Sequence, residues 1–385
     1  MEVKQIYKII NDVTSEVLGK TDLIKEDLTG VVQVGEEIFN QKAVENFTRT
    51  LIDHIGRVVF VNRVYGGSAP SVLMDSWEFG SVMEKIQAET PAATENETWE
   101  LQHGQVYEQD IFYKPEVTFK LFNGKITFEV PISITDKQVK SAFSDVNQLN
   151  GFVSMIYNSV DRSLTIKIDS LIMRTINNFS GETLFKESFN KTNASTKTGK
   201  RVINLLKLYN ETSETKLTPA KAIENKDFLR YASYQMKLYA SRLTKISTIF
   251  NMGGKERFTP RDLMHIILLE NFASGAETYL ESDTFHNEFV KLPRAETVPY
   301  WQGSGTDYSF EDVSSINIKT SEGNDIEMSG IIGIMFDRDA LGCTNYRKYA
   351  TTHRNDKSEF TNTWFKYDAG YFNDFNENFI MFIVA

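Results

Sequence analysis

Residues 151–179 constrain the fold of this chain more than any other stretch. Phe152, Ile156, Val160, Leu164, Ile168, Leu171, Ile172 and Ile176 recur at spacings of three, four or one, which keeps one apolar stripe on one side of an α-helix. No proline interrupts the run, although Asn158, Thr165 and the serines lower its intrinsic helix propensity. Globular helices average about 11–12 residues, whereas this one approaches ~40 Å at ~1.5 Å per residue. Such a helix is either a spine on which extended pieces are mounted or the central helix of an ordinary α+β domain.

The chain of 385 residues is long enough for two compact domains or one large irregular one. Its apolar share of 41% and aromatic share of 12% predict a folded protein. The single cysteine, Cys343, excludes an intrachain disulfide and fits a reducing compartment. The first residues lack the uninterrupted apolar core of a signal peptide, and runs such as 380–385 are too short to span a bilayer. The expectation is a soluble protein that is intracellular where it is made.

Charge is unevenly spread. The net charge of −10 disfavours general binding to phosphates. Residues 66–110 hold one base, Lys85, against nine acids (Asp75, Glu78, Glu84, Glu89, Glu95, Glu97, Glu100, Glu108 and Asp110), a net of −8. Residues 191–207 hold five bases, Lys191, Lys197, Lys200, Arg201 and Lys207, and no acid. Such segregation reads either as complementary surfaces that meet between copies or as two solvated faces.

In chain order, Val3, Ile6, Ile10, Val13 and Val17 form a helical stripe that Gly19 ends. Residues 20–40 read as an extended arm, 43–55 as a short helix stopped by Gly56, and 57–64 as a β-branched strand. A flexible hinge at 66–70 leads into the acidic segment, where Trp77, Phe79, Trp99 and Tyr107 are interspersed with acids around a tip at 91–94. This reads as a long two-stranded excursion whose aromatic residues need a surface from another subunit, because a protruding hairpin buries its own faces poorly. The alternative is a compact β-subdomain packed on its own chain. Residues 116–133 read as a hairpin around Asn123-Gly124, with Pro131 ending the pairing. Beyond the long helix come a polar stretch, a helical turn near 202–206, a Thr218-Pro219 helix start, a helix at 228–246, a strand at 263–269 and short helices at 271–279 and 283–290. Strands are expected at 316–319, 330–336, 348–354, 360–368 and 379–385, the last returning to the long helix.

No catalytic motif is present: no G-x-G-x-x-G, Walker loop, H-E-x-x-H or C-x-x-C. The five histidines are scattered, and His265, inside an apolar run, reads as a core residue. Cys343 precedes His353 by ten residues, so a cysteine nucleophile with its base is one reading and a small buried cysteine the other. Asn193-Ala194-Ser195 fits a glycosylation acceptor only by chance in a chain without a secretory signal. No metal-ligand pattern and no cofactor motif emerges.

The order of these elements resembles the major capsid protein of tailed bacteriophages, with its Hong Kong 97-type fold. Residues 34–64 (VGEEIFNQKAVENFTRTLIDHIGRVVFVNRV) look like the N-terminal arm and first strand of capsid proteins from small phi-29-like podophages. Residues 143–178, including FVSMIYNSVD, look like their spine helix, and 335–385, with MFDRDALGCTNYRKYATTHRN and WFKYDAGYFNDFNENFIMFIVA, like their closing strands. The resemblance implies an α+β fold in which 1–65 is the N-terminal arm and following strand, 66–115 an extended loop over a neighbouring subunit, 116–194 a peripheral domain with spine helix 151–178, 195–344 an axial domain, and 345–385 strands returning to the peripheral domain. It implies no enzymatic activity and no cofactor. The implied function is self-assembly, through pentamers and hexamers, into an icosahedral or prolate shell around a double-stranded DNA genome packed without sequence recognition. Implied partners are a separate scaffolding protein and a portal, with assembly in the bacterial host cytoplasm, residence in the virion and no membrane contact. Some relatives cross-link a loop lysine to a neighbour's asparagine. Here the loop has only Lys85, flanked by Glu84, and nothing around it carries that chemistry over.

Under this reading the acidic loop, with Trp77, Phe79, Glu84, Glu95, Glu97, Trp99 and Tyr107, docks on a neighbour's basic surface. Arg347, Lys348, Arg354 and Lys357 are the first candidates for that surface, and Lys197, Lys200 and Arg201 with Lys191 the second. The rival readings are an encapsulin-like nanocompartment shell, a soluble hydrolase using Cys343 and His353, and a glycan-binding module using Trp77 and Trp99.

Overall fold

A computed structural model of the chain describes residues 3–19, 30–40, 43–61, 69–74, 83–88, 100, 102–106, 110, 112–114, 117–281, 295–303 and 309–385. Helices α1 (Val3–Leu18), α2 (Val31–Asn40) and α3 (Val44–Val61) come first, then strands β1 (Met83–Ala88), β2 (Val117–Phe122) and β3 (Lys125–Thr135). Helices α4 (Asp136–Ala142) and α5 (Val146–Lys186) follow. The middle of the chain forms β4 (Val202–Asn204), α6 (Leu205–Ser213), α7 (Pro219–Ile223), α8 (Lys226–Leu243), β5 (Met264–Leu269) and α9 (Glu270–Glu281). The last part forms β6 (Glu296–Val298), α10 (Phe310–Val313), β7 (Ile316–Lys319), β8 (Asp325–Met328), β9 (Ile331–Asp337), β10 (Leu341–Asn355), β11 (Phe360–Asn373) and β12 (Phe379–Ile383).

The long helix is α5, and at 41 residues it is longer than its apolar stripe, about 60 Å at ~1.5 Å per residue. The Asp145 side chain caps it by accepting from the Asn147 amide at 3.0 Å. Thr165, Thr175 and Thr183 donate to the carbonyls one turn back, so these residues are satisfied inside the helix. From Val153 to Ile168 only the stripe is buried, whereas beyond Leu171 nearly every side is covered. The helix packs on α3, α4, β7 and the antiparallel sheet ordered β10-β11-β3. Buried residues alternate along β11, from Thr361 and Thr363 to Phe365, Tyr367 and Ala369, as expected of a sheet with one covered face.

The second sheet runs β4-β12-β9-β5-β6 and is buried on both faces. Phe379, Met381, Ile383, Ile334, Phe336, Ile267 and Leu269 join the core that contains α5. Their neighbours Ile380, Phe382, Ile332, Met335, Ile266 and Leu268 join the core under α6, α8 and α9. Two covered faces explain why 330–336 and 379–384 are continuous apolar runs. The closing segment is therefore divided. β10 and β11 belong to the first sheet, but β12 pairs with β4 and β9 and does not rejoin the sheet on α5.

Several local expectations are overturned. Part of the supposed extended arm is α2, and α3 runs past Gly56 to Val61. Phe47, Leu51, Ile52 and Ile55 bury one face of α3, and this packing overrides the strand preference of the valines that follow. Positions 62–64 of that expected strand, and the helix expected at 283–290, lie outside the described residues. Pro131 does not end β3, which pairs with β11 as far as Thr135. β3 is an edge strand, where a residue without an N–H is tolerated.

Asn123-Gly124 is not a hairpin either. β2 pairs with β1, β3 pairs with β11, and neither turn residue takes the positive φ that a type I′ turn requires. The chain changes sheets at this corner. The Tyr371 amide donates to the Gly124 carbonyl at 3.1 Å. A Cβ on Gly124 would lie 2.7 Å from the Tyr371 carbonyl oxygen, so close approach to β11 is what requires glycine.

Candidate subunit-contact surface

β1 and β2 form a two-stranded ribbon of their own. The described part of the acidic excursion thus returns along Val117–Phe122, beyond the boundary expected at residue 115. In its register Glu84 faces Leu121, Lys85 faces Lys120 and Ile86 faces Phe119. Alternation puts Glu84, Ile86, Val117, Phe119 and Leu121 on one face and Lys85, Lys120 and Phe122 on the other. The first face is open: Ile86 is 64% exposed, Val117 56%, Phe119 53% and Leu121 58%.

The second face is pinned down. Lys85 Nζ donates to Asp374 Oδ2 at 2.9 Å and to Glu377 Oε1 at 2.7 Å, and Lys120 Nζ to Asp374 Oδ1 at 2.5 Å. Both acceptors lie in the turn between β11 and β12, and the Asp374 side chain is 0% exposed. Burial alone would raise the Asp374 carboxyl, but Lys120 and Lys85 outweigh it and hold the pKa below its ordinary value. Burial likewise opposes the Lys85 ammonium, and Glu377 and Asp374 reverse the sign, so its pKa is raised. Phe122 adds a ring contact with Phe372 at 5.3 Å. The sequence singled out Lys85 as the lone base of its segment, but its partners lie almost 300 residues away, where no local pattern reaches.

Of the other expected loop residues, Trp77, Phe79, Glu95, Glu97, Trp99 and Tyr107 lie outside the described residues, while Glu84 is exposed on the open face. The expected basic surface is largely engaged within the chain. Arg354 makes a bidentate pair with Asp136 at 3.0 and 2.8 Å and also reaches Asp356. Lys348 lies over the Tyr367 ring, and Arg347, although exposed, stacks 4.1 Å over Tyr349. Lys197 donates to the Glu187 and Ser188 carbonyls, and Arg201 reaches the Asn251 carbonyl and Glu187. Lys191 pairs with Glu311 and Glu327, and Lys207 with Glu211. Lys191, Arg201 and Lys207 of the basic run are thus paired with acids from outside it, and Lys197 with backbone carbonyls. Arg347, Lys357, Lys200 and Lys191 are the expected basic residues that remain exposed, Lys191 within its ion pairs.

The hydrolase reading finds no geometry. Cys343 is buried, its sulfur is 3.4 Å from Thr175 Oγ1, and burial pushes the thiol up to about 12. His353 is exposed on the same strand, ten residues on, or ~33 Å at ~3.3 Å per residue. His265 is half-buried and stacks on Phe336, and burial lowers its pKa. It lines a cleft of about 950 Å³ with Lys237, Arg261 and Glu296, whose carboxylate is taken up by the Ser71 amide and hydroxyl. Among the described residues no group of His, Cys, Asp and Glu could hold a metal ion, and no helix is long and apolar enough to cross a membrane.

The described residues thus combine a long helix on one sheet, a second sheet covered on both faces and a ribbon with one uncovered face. The profile of the Phi29-like phage major capsid protein family matches residues 9–383, and the chain belongs to that family. It is a shell-forming structural protein of the phage virion, and its fold mixes helices and sheets as expected. Similar solved structures include the capsid of Staphylococcus phage Andhra, with 10% identity over 84% of this chain and 86% of that one and a TM-score of 0.49. The capsid of Cyanophage P-SCSP1u has 11% identity over 84% and 88%, with a TM-score of 0.44. The mature capsid of bacteriophage PhiM1 has 7% identity over 84% and 87%, with a TM-score of 0.42. No curated protein matches the chain.

Proposed function

We propose that this subunit joins its shell by laying the β1–β2 ribbon, open face down, across a neighbouring copy. The observation that carries this reading is the exposed row of Ile86, Val117, Phe119 and Leu121 on a ribbon whose opposite face is fastened to its own chain. Contiguous exposed apolar surface marks a contact, and a two-stranded ribbon is marginal in water without one. Glu84 adds negative charge to the open face, and exposed Arg347, Lys357 and Lys200 are the bases offered to it.

In this scheme residues 66–122 are the extended loop. The sheet on α5, with residues 123–194 and strands β10 and β11, is the peripheral domain, and the helices and five-stranded sheet of 195–340, completed by β12, form the axial domain around the shell's five- and six-fold centres. Residues 1–65 are the adaptable N-terminal arm. A separate scaffolding protein and a portal take part in assembly in the host cytoplasm, and double-stranded DNA is packed inside without sequence recognition. The chain's net charge of −10 keeps that last contact weak. No step of the scheme needs catalysis by this chain.

The test is negative-stain imaging of the Ile86→Ser/Phe119→Ser variant under conditions where the unmodified chain forms closed shells. The expected result is a folded subunit that stays small. Normal shells would remove the ribbon from the contact.

A further inference from the structure

The cluster under the ribbon has a feature that packing alone does not require. Lys85 and Lys120 stand directly opposite each other in the β1–β2 register. Like charges facing across two strands destabilise the pair, so the ribbon by itself opposes this register. The β11–β12 turn reverses the sign, because Asp374 offers one carboxylate oxygen to each ammonium and Glu377 takes a second bond from Lys85.

The turn itself is fixed to both halves of the fold. Its first strand belongs to the sheet on α5 and its second to the five-stranded sheet. The Asp374 amide donates to the Ala340 carbonyl at 2.6 Å, and the Phe375 carbonyl accepts from the Met252 and Gly253 amides at 2.9 and 3.2 Å. Arg257 Nε lies 3.6 Å from Glu377. The ribbon is thus anchored at the junction of the two sheets. Lys85 Nζ also reaches the Asp339 carbonyl at 3.5 Å, and Phe122 adds its ring contact with Phe372.

We propose that Lys85 and Lys120 are the positioning residues of the ribbon, holding it through Asp374 and Glu377 at a fixed angle to the junction so that its open face is presented to a neighbour. Presentation to a neighbour rests on the docking reading above, whereas order of the ribbon in the lone subunit does not. Lys85 is thereby a structural cation, and its ammonium is not offered to a neighbour's side chain.

Amide hydrogen exchange on the unassembled chain tests this. In Lys85→Met/Lys120→Met, amides of 83–88 and 117–122 should exchange about tenfold faster or more while β9 and β12 keep their protection, as for a local opening, and shells should fail to form. Leaving a buried carboxylate unpaired can unfold a protein, so Lys85→Met/Glu377→Gln, which removes one charge of each sign, is measured beside it with the same expected loosening. Ribbon protection equal to that of the unmodified chain in either variant, with the sheets intact, would overturn the proposal. The Ile86→Ser/Phe119→Ser variant should keep its ribbon protected. Its shells decide the docking reading separately, so the two ideas fail by different measurements.

Discussion

β12 and β2 are both rich in apolar residues, and the fold uses them in opposite ways. In β12 every residue from Phe379 to Ile383 is buried, between β4 and β9 in its own sheet and between helical layers above and below. In β2 the apolar residues Val117, Phe119 and Leu121 face solvent, while charged Lys120 turns inward beside Phe122, to a fully buried partner. An apolar strand thus defines a core only when its own chain supplies both covers. The ribbon has one cover made of charge and one face left for another molecule.

Breaking the covered side should have the largest effect on stability. Phe382→Ala should cost about 3–5 kcal/mol in urea unfolding of the unassembled chain, and a cost below about 1 kcal/mol would mean that the sheet is less tightly covered than described. Arg354→Ala, which removes the bidentate tie from β10 to Asp136 at the start of α4, should cost about 1–3 kcal/mol in the same assay.

Cys343 sharpens the picture of the core by pH. Its folded thiol keeps its proton to about 12 against an ordinary 9.0, so this group's stabilising contribution is complete below 9.0 and is lost as the pH rises towards 12. Unfolding free energy of the unmodified chain should therefore fall relative to Cys343→Ala by about 1.4 kcal/mol per pH unit within that window. Parallel pH profiles would contradict the burial.

On the open side the effect on folding should nearly vanish while assembly is lost. Ile86→Ser/Phe119→Ser should change unfolding free energy by about 0.5 kcal/mol or less. Glu95→Lys/Glu97→Lys should likewise leave the subunit folded and impair shell formation, and normal shells from it would discard the electrostatic part of the docking.

Much of the covered structure was legible in the sequence, because a stripe at helical spacing or a continuous apolar run has few ways to be buried. The stripe of α5 announced the spine, but the helix continues where Asn177, Ser180, Glu182 and Thr183 are buried among other elements and leave no stripe to see. The valines after Gly56 carried a strand preference that packing of α3 on α1 overruled. Asn123-Gly124 looked like a turn because dipeptide chemistry cannot show that Tyr371 passes within contact of Gly124. The basic run at 191–207 looked like a surface because Glu187, Glu311 and Glu327, which pair with Arg201 and Lys191, come from outside the run. At the ribbon, alternation showed two faces, but which face the chain itself covers depends on Asp374 and Glu377.

The most direct measurement is the accessibility of the open face before and after assembly. A single thiol placed by Phe119→Cys in a Cys343→Ala background should react readily with a maleimide in the unassembled subunit and be protected in the closed shell. Equal labelling in shell and subunit would contradict the claim that this face is where one copy meets the next.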